Sequence, residues 1–215
     1  MLEKRTRVDF KILLSFFLLA VFLTGCVLFK KPTDAERYSA WSKKHRDEIF
    51  AYQKFLDEKA VGDIVPLAQL LKSARDWKKC KAEPFTTPPK ELWPNIVPTL
   101  LVVKKFKVEG VLVNPIAASV YRDPVLNTCA GGSPGSKHMQ LNAIDFDIDA
   151  TPASLASLCN AWKTSGRQLK LGLGFYTPTR IHLDTLGYRS WGSDHTHKTS
   201  LCLQTASAFE SKPSL

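Results

Sequence analysis

The chain changes its pattern of apolar and polar residues at a proline-rich segment. Before this segment, residues 34 to 60 carry aromatic and aliphatic side chains at helical spacing among charges, and residues 63 to 77 continue in the same way. This pattern predicts amphipathic helices. Five prolines between residues 84 and 98 predict an extended connector that ends in a turn at residues 91 to 95. We therefore expect a helical extension over residues 34 to 83 and a main domain over residues 84 to 215.

After the connector, short segments of helix and strand character alternate. The acidic residues of the first predicted strand recur at every second position, which places them on one face. Thr151 and Pro152 are typical of a helix start, and Gly166 of a helix end. Residues 111 to 120 have an ambiguous period. Helices packed on a small, mostly antiparallel sheet would form an α+β domain. The predicted strands are residues 142–149, 171–176 and 180–185, and the predicted helices are residues 96–106 and 152–163.

The beginning of the chain has the layout of an export signal. Four basic residues precede an apolar run over residues 12 to 23, which is too short to span a bilayer comfortably. The run ends in Leu-Thr-Gly-Cys, which looks like a bacterial lipobox. We expect residues 1 to 25 to be a lipoprotein signal peptide, Cys26 to carry the lipid anchor and residues 26 to 33 to form a tether. The alternative is an uncleaved anchor helix that ends near Phe29.

The remaining cysteines form an even set, which predicts two disulfides in an oxidising compartment. Three pairings are possible. Zinc ligation by thiolates is disfavoured because no C-x-x-C spacing occurs. The four residues are Cys80, Cys129, Cys159 and Cys202.

The formal net charge of the whole chain is +10 at pH 7. A basic protein is attracted to polyanions, which in a cell envelope are wall carboxylates, phosphates and lipid headgroups. Nucleic acid is not expected as a partner, because an exported chain without an interleaved aromatic and basic motif lacks the usual recognition features. The length that remains after signal removal is enough for one domain with a single core.

The residue types with the clearest chemistry lie in two places. His138 and Asp145 stand seven residues apart, where a turn rich in glycine and serine runs into an alternating strand. A second imidazole, His182, follows in another predicted strand. Two histidines and one carboxylate can hold zinc and leave a position for water, which is a catalytic arrangement.

These residues resemble the zinc D-Ala-D-Ala carboxypeptidases of peptidase family M15, subgroup A in particular. The family signature reads roughly Y-R-x-P-x-x-N, G-G, S-x-H-x-x-G-x-A-x-D and then H-x-D, and it matches residues 91 to 191 in order. The resemblance implies a fold like that of DD-peptidases and Hedgehog domains. It also implies one Zn²⁺ per chain, held by His138, Asp145 and His182.

The resemblance assigns further roles in the site. Arg122 is suited to hold a substrate carboxylate or carbonyl through paired hydrogen bonds, although a structural ion pair is the alternative. Ser136 would either bind substrate or stabilise its own turn. Asp184 would either orient an imidazole or the bound water, or act as the general base. The following acids on the first strand, Asp147 and Asp149, are expected to face solvent or to support the ligands.

Two positions depart from the family pattern. Many family members carry the base three residues before the last ligand, where this chain has Thr179, and a glycine three residues after the first histidine, where it has Leu141. His195 and His197 fall beyond the match. Such an H-x-H pair could bind metal, but we interpret it as part of an exposed loop.

The expected function is hydrolysis of peptidoglycan stems or cross-links that contain D-amino acids, through attack by a zinc-bound water. Carboxypeptidase and endopeptidase action both remain open. The protein would be lipid-anchored in the cell envelope, facing the periplasm or the outside of the cytoplasmic membrane. The alternative, which Thr179 and Leu141 favour, is an inactive or weakly active wall-binding lipoprotein with the same fold. Residues 34 to 83 carry no motif with an assigned role.

Overall fold

A computed structural model of the protein describes residues 30–204. The expected signal peptide, the lipidation site Cys26 and residues 27 to 29 of the expected tether lie outside the described residues. From Ala35 onward the described chain belongs to one compact unit. No helix within residues 30–204 combines the length and the apolar character that a membrane crossing requires.

The described residues begin with two helices where one was predicted over residues 34 to 60. Helices α1 (Asp34–Ser42) and α2 (Arg46–Glu58) are separated by a turn at residues 43 to 45. The turn is closed by backbone hydrogen bonds from Lys44 to Trp41 and from His45 to Ser42. The His45 ring stacks on the Trp41 ring at 4.3 Å, which holds the two helices at this bend.

The helix predicted over residues 63 to 77 is wrong. Only α3 (Leu67–Leu70) is helical there. The chain then becomes extended, with an isolated antiparallel bridge from Lys72 to Phe85. The apolar residues Ile64, Val65 and Leu71 are all buried, so this segment is covered on several sides and does not present one helical stripe.

The helices predicted after the connector are confirmed. A 3₁₀ turn (Lys90–Asn95) leads into α4 (Ile96–Val108), and a short helix, α5 (Pro124–Cys129), follows further on. Helix α6 (Pro152–Ser165) begins as predicted, with the Thr151 hydroxyl accepting a hydrogen bond from the Ser154 amide. Such a cap satisfies one of the free amides at the helix start.

The strands form one five-stranded mixed sheet, and the class α+β is confirmed. The order is β1-β2-β4-β3-β5. The pairs β1–β2, β2–β4 and β3–β4 are antiparallel, whereas β3 and β5 are parallel. The predicted strands are confirmed, and the ambiguous segment contains β1. The strands are β1 (Ile116–Ser119), β2 (Ala143–Asp147), β3 (Gly172–Thr177), β4 (Arg180–Asp184) and β5 (Arg189–Trp191).

The two predicted disulfides are confirmed, and the structure selects one of the three pairings. Cys80 is bonded to Cys129 at the end of α5. Cys159 in α6 is bonded to Cys202 in a 3₁₀ turn, Leu201–Leu203. The first bridge thus joins the turns at residues 75 to 81 to α5, and the second joins α6 to the last described turn.

Candidate metal centre

Three buried side chains meet on one face of the central strands. Asp145 lies in the middle of β2 and is paired directly with His182 on the neighbouring strand β4. Residues paired in this way point to the same face of a sheet. His138 comes from the 3₁₀ turn Lys137–Gln140, which precedes β2. All three side chains are less than one tenth exposed, so the sequence's three ligand candidates are brought together.

The separations within this group fit a single metal ion. Asp145 Oδ1 lies 3.1 Å from His138 Nε2 and 2.9 Å from His182 Nδ1. The two histidine nitrogens are 3.2 Å apart. A tetrahedral zinc ion with ligands at about 2.0 to 2.1 Å has ligand separations of about 3.3 Å. Two nitrogens and one carboxylate oxygen therefore match zinc in chemistry and in spacing.

Hydrogen bonds on the far side of each ring aim the imidazoles. His138 Nδ1 donates to the Val120 carbonyl at 2.6 Å, which leaves Nε2 facing the group. His182 Nε2 lies 3.1 Å from Asp184 Oδ2, which leaves Nδ1 facing the group. Partners of this kind fix the tautomer and the orientation of metal-binding histidines.

Asp184 is fully buried and lies behind His182. Besides the imidazole, its oxygens accept hydrogen bonds from the Leu186 amide at 2.9 Å and from Arg189 Nη2 at 2.7 Å. A carboxylate engaged on both oxygens, on the side of the ring away from the other ligands, is suited to orient His182. This position favours the first of the two roles expected for Asp184.

Burial and the neighbouring side chains shift the pKa values of the three ligand candidates in opposite directions. Burial raises the pKa of Asp145, but the neighbouring His138 and His182 outweigh burial and hold that pKa well below its usual range. Burial lowers the pKa of His138, although Asp145 opposes the change. For His182, burial also acts to lower the pKa, but hydrogen bonds with Asp145 and Asp184 outweigh it, so the pKa is raised. A metal ion must therefore displace a proton mainly from His182.

Arg122 borders the metal-binding group. Its Nη2 lies 3.4 Å from Asp145 Oδ2. Its Nε is buried without a hydrogen-bond partner among the described residues. The side chain is only 9% exposed and lines the cleft described next. A buried, partly unsatisfied guanidinium has donors left for a bound carboxylate or carbonyl, so the ion pair with Asp145 and a substrate contact are compatible.

An open cleft of about 870 Å³ lies above the group. One wall is the loop of residues 130 to 136, which ends in Ser136. Ser136 lines the cleft and precedes the 3₁₀ turn, which its side chain does not cap. The rings of Tyr176, Trp191 and His195 also line the cleft and are called the aromatic wall below. This volume is in the range that accommodates a small peptide ligand.

The aromatic wall was not found from the sequence. His195 and His197 are exposed, as predicted, and both also line the cleft, which the sequence did not indicate. Their approach depends on the parallel pairing of β5 with β3, which brings the chain back beside His182. The only sequence signal was an aromatic and a glycine, Trp191 and Gly192, directly before this loop.

The two departures from the family pattern have different outcomes. Thr179 is exposed in the turn between β3 and β4, with its hydroxyl 3.2 Å from that of Thr177, and it is not among the residues lining the cleft. Leu141 keeps a left-handed backbone, with φ at +55°, and its side chain is fully buried. The glycine conformation is thus retained without glycine.

Asp147 forms an ion pair with Arg180.

A buried pair of histidines and an aspartate, open to a cleft, is a ligand set that can hold a metal ion and leave a coordination position for water. A family model described as Peptidase M15 matches residues 67–184, more than half of the chain. The chain therefore belongs to the M15 peptidase family, whose members are zinc-dependent metallopeptidases. No curated protein and no solved structure matches it.

Proposed function

We propose that the protein is a zinc peptidase of the subgroup A type that hydrolyses peptidoglycan peptides containing D-amino acids. The observation that carries the proposal is the buried group of His138, Asp145 and His182 at the base of an open cleft, beside the Arg122 guanidinium. Family membership supports the reaction type. The order of signature residues supports the substrate class.

Different residues would bind the metal, bind the substrate and orient the metal ligands. Zinc held by the group would supply Lewis acidity to a scissile carbonyl and to a water molecule. Arg122 holds a substrate carboxylate or carbonyl with the donors that Asp145 leaves free. Ser136, which also lines the cleft, contacts the same substrate. Asp184 keeps His182 in the orientation that presents Nδ1.

The charge of the cleft supports an acidic peptide as the substrate. Basic side chains line it and outnumber the acidic ones. Stem peptides of the wall carry free carboxylates, which such a cleft attracts. The basic residues are Arg75, Arg122, Lys137, Arg180 and Arg189, and the acidic residues are Asp76 and Asp145.

We further propose that the protein works in the cell envelope, held to a membrane through a lipid on Cys26. The lipobox-like sequence and the apolar run before it support this location. The two disulfides agree with it, because such bonds persist in oxidising compartments outside the cytoplasm. Metabolic labelling with a radioactive fatty acid tests the anchor, and loss of label in Cys26→Ala is the expected result.

The experiment that tests the activity is mass spectrometry of purified muropeptides after incubation with the full chain in detergent. Zinc-loaded protein is compared with chelator-treated protein and with His138→Ala. His45→Ala is the matched control, because His45 stacks on Trp41 far along the chain from the ligands. New fragments only from the loaded wild type and control support the proposal, and the fragment masses distinguish carboxypeptidase from endopeptidase cleavage.

A second candidate is a wall-binding lipoprotein that keeps the fold and the metal but has no turnover. The position of Thr179 outside the cleft favours it, since no carboxylate stands where many family members carry the base. Sedimentation with insoluble peptidoglycan separates the candidates. Strong binding together with no fragments from zinc-loaded protein would support this second candidate and overturn the first.

A further inference from the structure

Tyr176 occupies an irregular place in the sheet. On β3, Gly174 is paired with His182 and Phe175 with Ile181, but the next pair is Thr177 with Arg180. Tyr176 is the extra residue of this bulge. Bulges often occur beside active sites, where they redirect a side chain. Tyr176 has no residue directly opposite it on β4.

The hydroxyl of Tyr176 reaches the ligand atoms. It lies 3.3 Å from His182 Nδ1, the nitrogen that faces the metal-binding group. It also faces Asp145 and Arg122. A phenol hydroxyl is both a donor and an acceptor of hydrogen bonds, so at this distance Tyr176 can donate to a group bound beside the ligands. A substrate carbonyl placed on the metal-binding group would therefore lie beside a phenol.

His195 stands next to Tyr176 on a braced loop. The two ring centroids are 5.8 Å apart, with the planes at 66°. The loop is fastened by Asp194, which accepts a hydrogen bond from the Thr196 amide at 2.8 Å. Gly192 is obligatory here, because a Cβ at this position would lie 2.1 Å from the Thr199 carbonyl oxygen. His195 itself has a left-handed backbone, with φ at +61°.

Neither of the two positions expected to provide a general base, residues 179 and 184, presents a carboxylate to the cleft. Thr179 is exposed outside the cleft lining, and Asp184 is enclosed behind His182 by Leu186 and Arg189. Groups with exchangeable protons are present instead on the aromatic wall. These groups are Tyr176 and His195, and both lie within the cleft.

We propose that Tyr176 and His195 are catalytic residues that replace the family's carboxylate. Tyr176 donates a hydrogen bond to the scissile carbonyl oxygen as negative charge develops there. His195 carries a proton from the attacking water to the leaving nitrogen. This inference rests on the peptidase activity proposed above.

The step balances in atoms and electrons. The water oxygen forms a bond to the carbonyl carbon, and the C–N bond breaks with its electron pair remaining on nitrogen. One water proton passes to His195 and from there to that nitrogen. The other proton stays with the new carboxyl group and is lost to solvent. Tyr176 keeps its own proton throughout.

The test compares Tyr176→Phe and His195→Gln with two matched controls in the full chain. Tyr188→Phe removes a hydroxyl from a ring that stacks on Trp162, and His45→Gln removes an imidazole from the first turn between helices. The substrate is the muropeptide that wild-type protein cleaves. We expect kcat to fall about 10²-fold or more in each test variant, with KM changed only a few-fold and both controls close to wild type.

A second readout separates chemistry from metal binding. The cobalt-loaded variants are titrated by visible absorption, and binding of a phosphinate peptide is measured by calorimetry on zinc-loaded protein. Such a phosphinate presents tetrahedral oxygens like those of the reacting carbonyl. Tyr176→Phe should keep the cobalt affinity of wild type and bind the phosphinate at least about tenfold more weakly.

The outcomes are distinct. Unchanged kcat in both test variants, beside an active wild type, would overturn this inference and leave the proposed peptidase intact. Lost cobalt affinity in Tyr176→Phe would assign that residue to holding the site and would also overturn it. No cleavage by wild type would overturn the proposed function, and the inference with it.

Discussion

Asp184 Oδ2 lies 3.1 Å from His182 Nε2, the ring nitrogen that points away from the metal-binding group. The same carboxylate is held by Arg189 and by the Leu186 amide. Asp184 therefore fixes the orientation of the His182 ring through Nε2, and the other ring nitrogen, Nδ1, points at Asp145.

Replacing Asp184 with Asn should weaken zinc binding about 10- to 100-fold, because the imidazole loses the charged partner that orients it and raises its basicity. Competition with a chromophoric chelator measures the change. Asp147→Asn is the matched control, since it removes an aspartate paired with Arg180 and is expected to keep wild-type affinity. Equal affinities in wild type and Asp184→Asn would contradict the orienting role.

Zinc affinity should fall with decreasing pH through the titration of His182. Its pKa is raised above the ordinary value of 6.5 in the metal-free protein, so its proton stabilises the folded state below that value. This contribution is lost as the pH rises through the folded pKa. Zinc must displace the same proton, and affinity should therefore drop by about tenfold per pH unit below that pKa.

Isothermal titration at a series of pH values, with zinc in a weak chelating buffer, measures this dependence. In Asp184→Asn the bend of the profile should move to lower pH, because one of the hydrogen bonds that raise the pKa of His182 is weakened. An affinity that stays constant from about pH 5 to pH 8 would be inconsistent with the balance of charges in the group.

The bridge between Cys80 and Cys129 should affect substrate binding as well as stability. It joins residues next to two cleft-lining segments, 74 to 76 and 130 to 133. Replacing both cysteines with serine should lower the free energy of unfolding by about 2 to 5 kcal/mol and raise KM. Urea unfolding and steady-state kinetics measure these changes.

The other bridge supplies the comparison, since Cys159 and Cys202 are 43 residues apart and Cys80 and Cys129 are 49 apart. Removing it should cost a similar free energy of unfolding, because the closed loops are of similar length. A KM that rises equally in both double variants would show that the first bridge has no special relation to the cleft.

Leu141 combines an unfavourable backbone with a favourable side chain. Its left-handed conformation suits glycine, and its side chain is fully buried. Leu141→Ala should lower the free energy of unfolding by about 2 to 5 kcal/mol through the cavity it leaves. Leu141→Gly should be more stable than Leu141→Ala by about 1 kcal/mol, because glycine adopts positive φ without strain.

Thermal or urea unfolding of both variants measures the difference. An alanine variant more stable than the glycine variant would mean that the backbone at residue 141 relaxes out of the left-handed region when the leucine side chain is removed.

The metal-binding group was accessible from the sequence because its signals are local. His138 and Asp145 are close along the chain, and alternation in β2 and β4 determines which face each ligand takes. The α6 helix was predicted for the same kind of reason, since Thr151 and Pro152 specify its start on their own. Predictions from local patterns of this type do not depend on contacts between distant parts of the chain.

The aromatic wall was not accessible, because it depends on contacts between distant parts of the chain. Tyr176 faces the ligands at a bulge that no composition signal marks, and His195 arrives there through the pairing of β5 with β3. The helix prediction for residues 63 to 77 failed for a related reason. Ile64 and Leu71 are buried by partners outside their own segment, so tertiary packing overrides the helical spacing.

The order of strands has a consequence for how the centre is filled. Asp145 and His182 are on β2 and β4, and each of these strands is hydrogen-bonded to a neighbour on both sides. Their backbone is thus held by the hydrogen bonds of the sheet itself. We therefore expect the ligand residues to be in position before an ion arrives, so that a chelator should remove the metal without unfolding the protein.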